Sequence, residues 1–452
     1  MASKSIRPAS FVAALLGVAG VGAVENGLAR TPQMGWNNWN TFACEVSESL
    51  LLDTSSLLIE YGLRDLGYNY VVLDDCWSKG RGDDGYQIVD DDKFPRGMKS
   101  VSDKLHKQGL LFGMYSSAGE MTCARYPLKA TGRDVLYSLC NWGEDYVHTW
   151  GPSIANSWRI SGDIYDSFAR PDALCACVDP NDPHCVAPGT HCSVLSIINK
   201  VAPYTDRALP GGWNDLDMLE VGLGGQTEEE YKAHFSMWAA LKSPMLLGND
   251  LREMDATTLS IVNNPAIIAI GQDPRGKAVM RISRNTSVAK DEFDVGETQV
   301  WSGPLANGDQ VVIFLNVADE DLQMSASLEE IFVMDGVHGT APQNKQDWAI
   351  HDLWSNGHSR MTKVNAEEIL AAEVGEARAQ ILHRQRVYNA TETPYADGIA
   401  AGDSRLFGEK VGTVSAGGRI TVPVARHAAK VFRLRALNGE SKTRKSLVKQ
   451  EL

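Results

Sequence analysis

Between residues 33 and 275, apolar strand-like runs alternate with helical runs, and nearly every apolar run ends on polar or acidic residues. The strand candidates are QMGWNNW, YNYVVLDD, GLLFGMYSS, DVLYSLC, SWRISGD, GGWNDLDML and PMLLGND. Their ends carry Asp74-Asp75, Ser116-Ser117, Asn141, Asp163, Asp215 with Asp217, and Asn249-Asp250. Alternation on this scale predicts a parallel sheet with helical crossovers. Polar groups gathered at strand ends are how a (β/α)8 barrel presents its reactive side chains. Only seven candidates are found, one short of that closure.

The clearest crossover helix is TEEEYKAHFSMWAALK (227–242). Thr227 and Glu230 form a capping box, and Tyr231, Phe235 and Trp238 recur at helical spacing, which reads as core. After about residue 278 the period changes to that of strands. Two β runs flank Asn307-Gly308, a strong hairpin signal, and GRITVPVARHAAKVFRLRA continues the strand pattern. The expected organisation is a leader over 1–23, a barrel over 24–277, an antiparallel β domain over 278–437 and a basic tail over 438–452. Within the β domain, 335–415 reads as an irregular insertion with one short helical run.

The leader is expected because Lys4 and Arg7 precede a short apolar core, FVAALLGVAGVGA, with small residues Val21 and Ala23 at the exit. It predicts export to the extracellular space, and no later run is apolar for long enough to span a bilayer. Two sequons, at Asn285 and Asn389, fit that route. So do the cysteines. Cys175, Cys177, Cys185 and Cys192 crowd into one Pro/Gly-containing stretch whose spacing is not that of a zinc ribbon, so two bridges stapling a loop are expected and no metal. The net charge of -14 argues against nucleic acid as a partner.

No phosphate loop, H-E-x-x-H or G-x-S-x-G motif appears, and no cofactor is implied. Carboxylates at strand ends beside tryptophans remain. Aromatic rings stack on the apolar face of a sugar, carboxylates grip its hydroxyls, and pairs of carboxyls run glycoside hydrolysis. Taken singly, Asp74 and Asp75 could also simply cap a buried strand. Trp36 reads as core, and Asp215 as a residue that orients its neighbours.

TPQMGWNNWNTFAC, YVVLDDCWS, FGMYSSAGEMTCA, SWRISGDI, PGGWNDLDMLEVG and LKSPMLLGNDL, in this order, resemble family 27 glycoside hydrolases of the fungal α-galactosidase type. The resemblance covers about Thr31 to Asp273, the β hairpin and the closing strand. It implies a TIM barrel followed by an antiparallel β-sandwich, and hydrolysis of terminal α-linked galactose in oligosaccharides and galactomannans with retained configuration. It implies Asp163 as acid/base, Asp74 and Asp75 on the 4- and 6-hydroxyls, and Trp39 stacked on the ring. Tyr115 and Cys123 would line the pocket, with Arg159 and Asp217 on the side of the 2-hydroxyl. It also implies a Cys44–Cys76 bridge. The loop CNWGED (140–145) matches the segment that reads the 2-substituent. Asn141 and Glu144 leave little room for an acetamide, which favours galactose over N-acetylgalactosamine.

One element of that family pattern has no match. The nucleophilic aspartate is expected at the end of a fourth strand, in a pattern like DYLKYDNC, between EMTCA and DVLYSLC. Only RYPLKATGR lies there, whereas a βαβ unit takes about 30 residues or more. Cys123 consequently has no evident partner. Cys123 and Cys140 are either free or paired with each other. Without the nucleophile the alternatives are an inactive galactose-binding relative or a defective gene product.

Overall fold

The computed structural model describes residues 26–116, 134–172, 175, 191–333, 341–355 and 361–437. The expected leader, Cys123, Cys177, Cys185 and the basic tail lie outside the described residues. No helix among those described is long and apolar enough to cross a membrane.

All seven expected barrel strands are present, and all pair in parallel. One arc runs Met245–Leu247, Met34–Asn37, Tyr70–Leu73, Leu111–Met114; the other runs Trp213–Asp215, Ser157–Arg159, Ser138–Leu139. A bridge between Leu219 and Leu247 joins the arcs on one side. Gly35 permits the close approach within the first arc: a Cβ there would lie 2.2 Å from the Tyr70 carbonyl oxygen. The strands are shorter than their apolar runs, because the polar ends turn away into loops. SWRISGD splits, and Asp163–Ile164 pairs separately with His191–Cys192. DVLYSLC keeps only Ser138–Leu139 as strand.

On the other side, the arcs end on the Leu111–Met114 and Ser138–Leu139 strands, and neither outer edge pairs with any strand among the described residues. Strands of a closed parallel barrel are covered on both faces. Met34–Asn37 and Ser157–Arg159 are buried throughout, whereas Leu111 is 41% and Met114 43% exposed. Leu111 and Met114 lie on the edge strand of the first arc.

The helices cover the arcs as their patterns require. Thr227 and Glu230 close the capping box of the Glu228–Ala240 helix, and Tyr231, Phe235 and Trp238 are buried. A short hairpin, Ser78–Arg81 with Gln87–Val89, was not expected; its sequence is polar and carries no strand alternation.

The C-terminal part is an antiparallel sandwich. Six strands order as Met280–Asn285, Thr298–Pro304, Gln310–Asn316, Ala428–Ala436, Trp348–Asp352, Glu409–Val414, and face the pair Leu322–Ser327 and Arg419–Val424. Side chains alternate across the large sheet. Val300, Val312, Phe314 and Phe432 fill the sandwich, whereas Trp301, Ile313, Leu315 and Val431 join the barrel's core. The hairpin forms at Asn307-Gly308, with φ of 60° and 78°, as the two central residues of such a tight turn require. Arg433 is fully buried at the junction; its Nε donates to Asp309 at 2.7 Å, and its guanidinium lies 3.9 Å from Asp273.

The span 335–415 is far more regular than expected. It supplies two strands of the large sheet and the helices Lys363–Ala371, Glu376–Arg384 and Tyr395–Ala401. These helices pack on the barrel through Ile369, Tyr395 and Ile399, joined by Tyr388 from the link between the second and third. The Lys363–Ala371 helix is the one short helical run expected here; the other two have sparse apolar positions among polar and charged residues, so periodicity did not reveal them.

Candidate active site

The site assembles where the parallel strands end. Asp74 and Asp75 follow the Tyr70–Leu73 strand. Asn37, at the end of the neighbouring strand, donates through Nδ2 to Asp74 at 2.8 Å, and Asn38 Oδ1 accepts the Asp74 amide at 2.8 Å. Asn37 Oδ1 also accepts the Trp39 amide at 2.8 Å, so one amide side chain links the half-buried tryptophan to the acidic pair. The Cys44–Cys76 bridge ties the loop after Trp39 to the turn after Asp75, with 5.1 Å between Cα atoms. Lys93 Nζ donates to the carbonyls of both cysteines at 2.9 Å. Burial raises the Asp74 carboxyl above its usual range, against the hydrogen bond from Asn37.

Opposite, Arg159 organises three strand ends. Its Nη2 lies 2.6 Å from Asp217 Oδ2 and 3.0 Å from Asp163 Oδ1, and also donates to the carbonyls of Ser161 and Gly162. Its Nη1 is 3.9 Å from Cys140 Sγ. Burial works against the guanidinium charge, but Asp217, Asp163 and Asp215 more than offset it and hold Arg159 above its ordinary value. Asp217 also accepts the amides of Ile164 and Met218, at 2.9 and 2.8 Å, from a backbone φ of 79°. A non-glycine residue in that region is strained, and such strain gathers at functional sites. Burial raises Asp217, and pushes Asp215 up to about 6. Asp215 Oδ1 accepts the Asp217 amide at 2.9 Å, which is the orienting role expected of it.

Tyr115 bridges the two halves. Burial and the neighbouring Cys140, Asp74 and Asp75 push its phenol well up. The field of Asp217 is felt at Asp74, so the two acidic groups share one cup. The described residues thus bring together Asp74, Asp75, Tyr115, Cys140, Arg159, Asp163 and Asp217. Asn141 and Glu144 instead close their own loop, Asn141 Nδ2 donating to the Glu144 carbonyl at 3.2 Å. Gly143 presses that loop on the strand carrying Arg159; a Cβ there would lie 2.1 Å from the Ile160 carbonyl oxygen. Trp36 is core, fully buried with its indole donating to the Asn249 carbonyl.

This cup sits in a chain that matches known proteins over most of its length. The family profile described as "Alpha galactosidase A" matches residues 31–152 and 127–273, in two overlapping stretches, and that described as "Alpha galactosidase C-terminal beta sandwich domain" matches 295–376. The alpha-galactosidase of Zygotorulaspora mrakii is 46% identical over 464 positions, covering 92% of this chain and 96% of the relative. The chain belongs to the alpha-galactosidase family. It is a glycoside hydrolase by that membership, with a TIM-type barrel and a C-terminal antiparallel sandwich. Among solved structures, the Saccharomyces cerevisiae alpha-galactosidase with raffinose superposes with a TM-score of 0.83 at 43% identity, covering 91% of this chain and 99% of that one. Alpha-galactosidase I of Mortierella vinacea follows at 0.70 and 36%, covering 91% and 98%.

Cys175 pairs with Cys192, which selects one pairing from the expected cluster, and Cys140 has no disulfide partner among the described residues. Asn285 is exposed at a strand end, and Asn389 is half-buried. Among the described residues no group of His, Cys, Asp and Glu could hold a metal. Asn37, Asn38 and Cys140 were not singled out as site residues from sequence. They occupy strand ends as the acids do.

Proposed function

We propose that this family member is a secreted enzyme for terminal α-linked galactose. In this reading Asp74 and Asp75 hold the 4- and 6-hydroxyls, Trp39 stacks on the ring and Asp163 serves as acid/base. The observation that carries the reading is the shared cup of Asp74–Asp75 and Arg159–Asp163–Asp217, at the carboxyl ends of a parallel barrel. A sugar bound there presents one flank to paired carboxylates and another to a carboxyl held by a buried arginine. Arg159 keeps Asp163 oriented through its 3.0 Å contact, and a positioned carboxyl is what proton transfer at a glycosidic bond requires. The relative solved with raffinose supports galactose-containing oligosaccharides as substrates. Export is supported by the apolar leader, the two bridges and the sequons.

We further propose that the 452-residue form lacks the fourth βα unit and its nucleophile. Retention of configuration needs two carboxyls about 5 Å apart across the anomeric carbon. The match to the Zygotorulaspora mrakii enzyme runs over 464 positions but draws on 92% of a 452-residue chain, or about 416 residues, so about 48 positions have no counterpart here. The split profile match and the open edges of the Leu111–Met114 and Ser138–Leu139 strands support the same place for the gap. In this form the cup binds galactose and turns over poorly, for want of the carboxyl opposite Asp163.

The test is to sequence the transcript across codons 123 to 134, then assay the confirmed chain on an aryl α-galactoside alongside calorimetric galactose binding. Binding with little turnover is the expected result. Robust turnover by a chain confirmed to lack the segment would overturn the proposal about the nucleophile; absence of galactose binding would overturn the proposed sugar contacts.

A further inference from the structure

Glu220 is a buried acid at the same rim to which no role has been given. It is 2% exposed and follows Leu219, whose amide donates to Leu246 at 2.7 Å and whose carbonyl accepts from Gly248 at 3.1 Å. The residue is therefore fixed by the backbone at the seam between the two arcs. Its Oε1 accepts from Asn40 Nδ2. Asn40 lies in the short helix Trp39–Phe42, one residue beyond Trp39. The next residue, Thr41, donates through Oγ1 to the Gly248 carbonyl at 2.6 Å. Gly248 leaves room for this contact, since a Cβ there would lie 3.2 Å from Asn40 Cβ.

Trp39 therefore rides on a single turn of helix held from two directions. On one side Asn37 holds its amide, and the Cys44–Cys76 bridge closes the loop behind it. On the other, Glu220 and Gly248 hold the two residues that follow. A four-residue turn has little cohesion of its own, because the first turn of a helix fixes many dihedrals for one hydrogen bond. Its orientation is set by these tethers.

We infer that Glu220 is a positioning residue for Trp39, clamping Asn40 so that the indole stands over the sugar cup. The inference rests on the proposed galactose contacts for Trp39. A second feature fits the role: Glu220 is buried facing Asp217 and Asp166, which holds its carboxyl well above the usual carboxylate range. The raised carboxyl is less prone to place a negative charge beside the acidic groups of the cup. A glutamine has the same shape and offers Asn40 a carbonyl oxygen in the same place, so it can keep this bond, whereas alanine cannot.

The experiment uses the full chain labelled with 5-fluorotryptophan and compares the parent with Glu220→Ala, Glu220→Gln and Asn40→Ala. The Trp39 fluorine resonance is assigned with Trp39→Phe, and galactose affinity is measured by calorimetry. The expected result is a broadened or shifted Trp39 signal in Glu220→Ala and Asn40→Ala, with Glu220→Gln restoring the parent signal. Galactose Kd rises about tenfold in the two alanine variants, stays within about twofold in the glutamine variant, and is not raised further by Glu220→Ala when Trp39 is already phenylalanine. An unchanged Trp39 signal in a folded Glu220→Ala protein overturns the inference, as does a Kd penalty that persists in the Trp39→Phe background. If Glu220→Ala does not fold, Asn40→Ala decides by the same criteria, since it removes the same hydrogen bond from the half-buried side. A parent that fails to bind galactose overturns the galactose contacts themselves. The fluorine signal still decides whether Glu220 holds Trp39.

Discussion

Arg159 Nη2 lies 2.6 Å from Asp217 Oδ2, and both side chains are nearly excluded from solvent. A buried pair of this kind gains little over an apolar pair of the same volume, but removing one partner strands the other charge. Arg159→Met is expected to cost about 3–5 kcal/mol, measured by urea unfolding. Arg159→Lys is expected to recover only part of it. A single ammonium cannot span Asp217, Asp163 and the carbonyls of Ser161 and Gly162 as the planar fork does.

Asp215 gives a pH prediction whose sign follows from its raised carboxyl. It moves from an ordinary value of 3.8 up to about 6 in the folded protein. The folded state then holds the proton more tightly than the unfolded chain. Its contribution to stability is fully present below pH 3.8 and is lost as pH rises through 6. Asp215→Asn removes this dependence. Subtracting the variant's unfolding free energy from the parent's, across pH 3 to about 7, should give a curve that falls by no more than about 3 kcal/mol. A flat difference curve would refute the assignment.

The Cys44–Cys76 bridge closes a 32-residue separation and ties the acidic pair to the Trp39 loop. Cys44→Ser with Cys76→Ser is expected to lower stability by about 2–4 kcal/mol. It should weaken galactose binding by a larger factor than removal of the Cys175–Cys192 bridge, which pins the loop after Arg170 rather than the acidic pair. Calorimetry on both variants checks this.

Gly143→Ala tests the loop that carries Asn141. The added methyl would meet the Ile160 carbonyl oxygen at 2.1 Å, at a residue with φ of 79°. A cost of about 1–3 kcal/mol is expected. Faster proteolytic cutting between residues 141 and 146 should accompany it, measured by limited digestion and mass spectrometry.

The parts of the fold that were legible in the sequence are those with a strong local signal. Asp74, Asp163 and Asp217 end apolar runs and could be read as one rim before their partners were known. The Asn307-Gly308 turn is dictated by the left-handed backbone both residues adopt, and the Thr227–Glu230 box by its spacing. Of the helices over 363–401, the run AEEILAAE gave away the Lys363–Ala371 helix, but the other two were not legible, because their few apolar side chains are specified by grooves on the barrel, such as the one where Tyr395 donates to the Leu66 carbonyl. Nor were the tethers of the cup. Asn37, Asn40 and Glu220 acquire meaning from neighbours 37 to 180 positions away in the chain.

Arg433 comes from the last strand of the sheet, yet it bonds to Asp309 and stands beside Asp273 at the close of the barrel. The contact that locks the two halves can therefore form only well after both acids have been made. During synthesis the nascent barrel must wait with those two acids unmet, and a chain cut short before its final strand would emerge with a charged, unfastened flank.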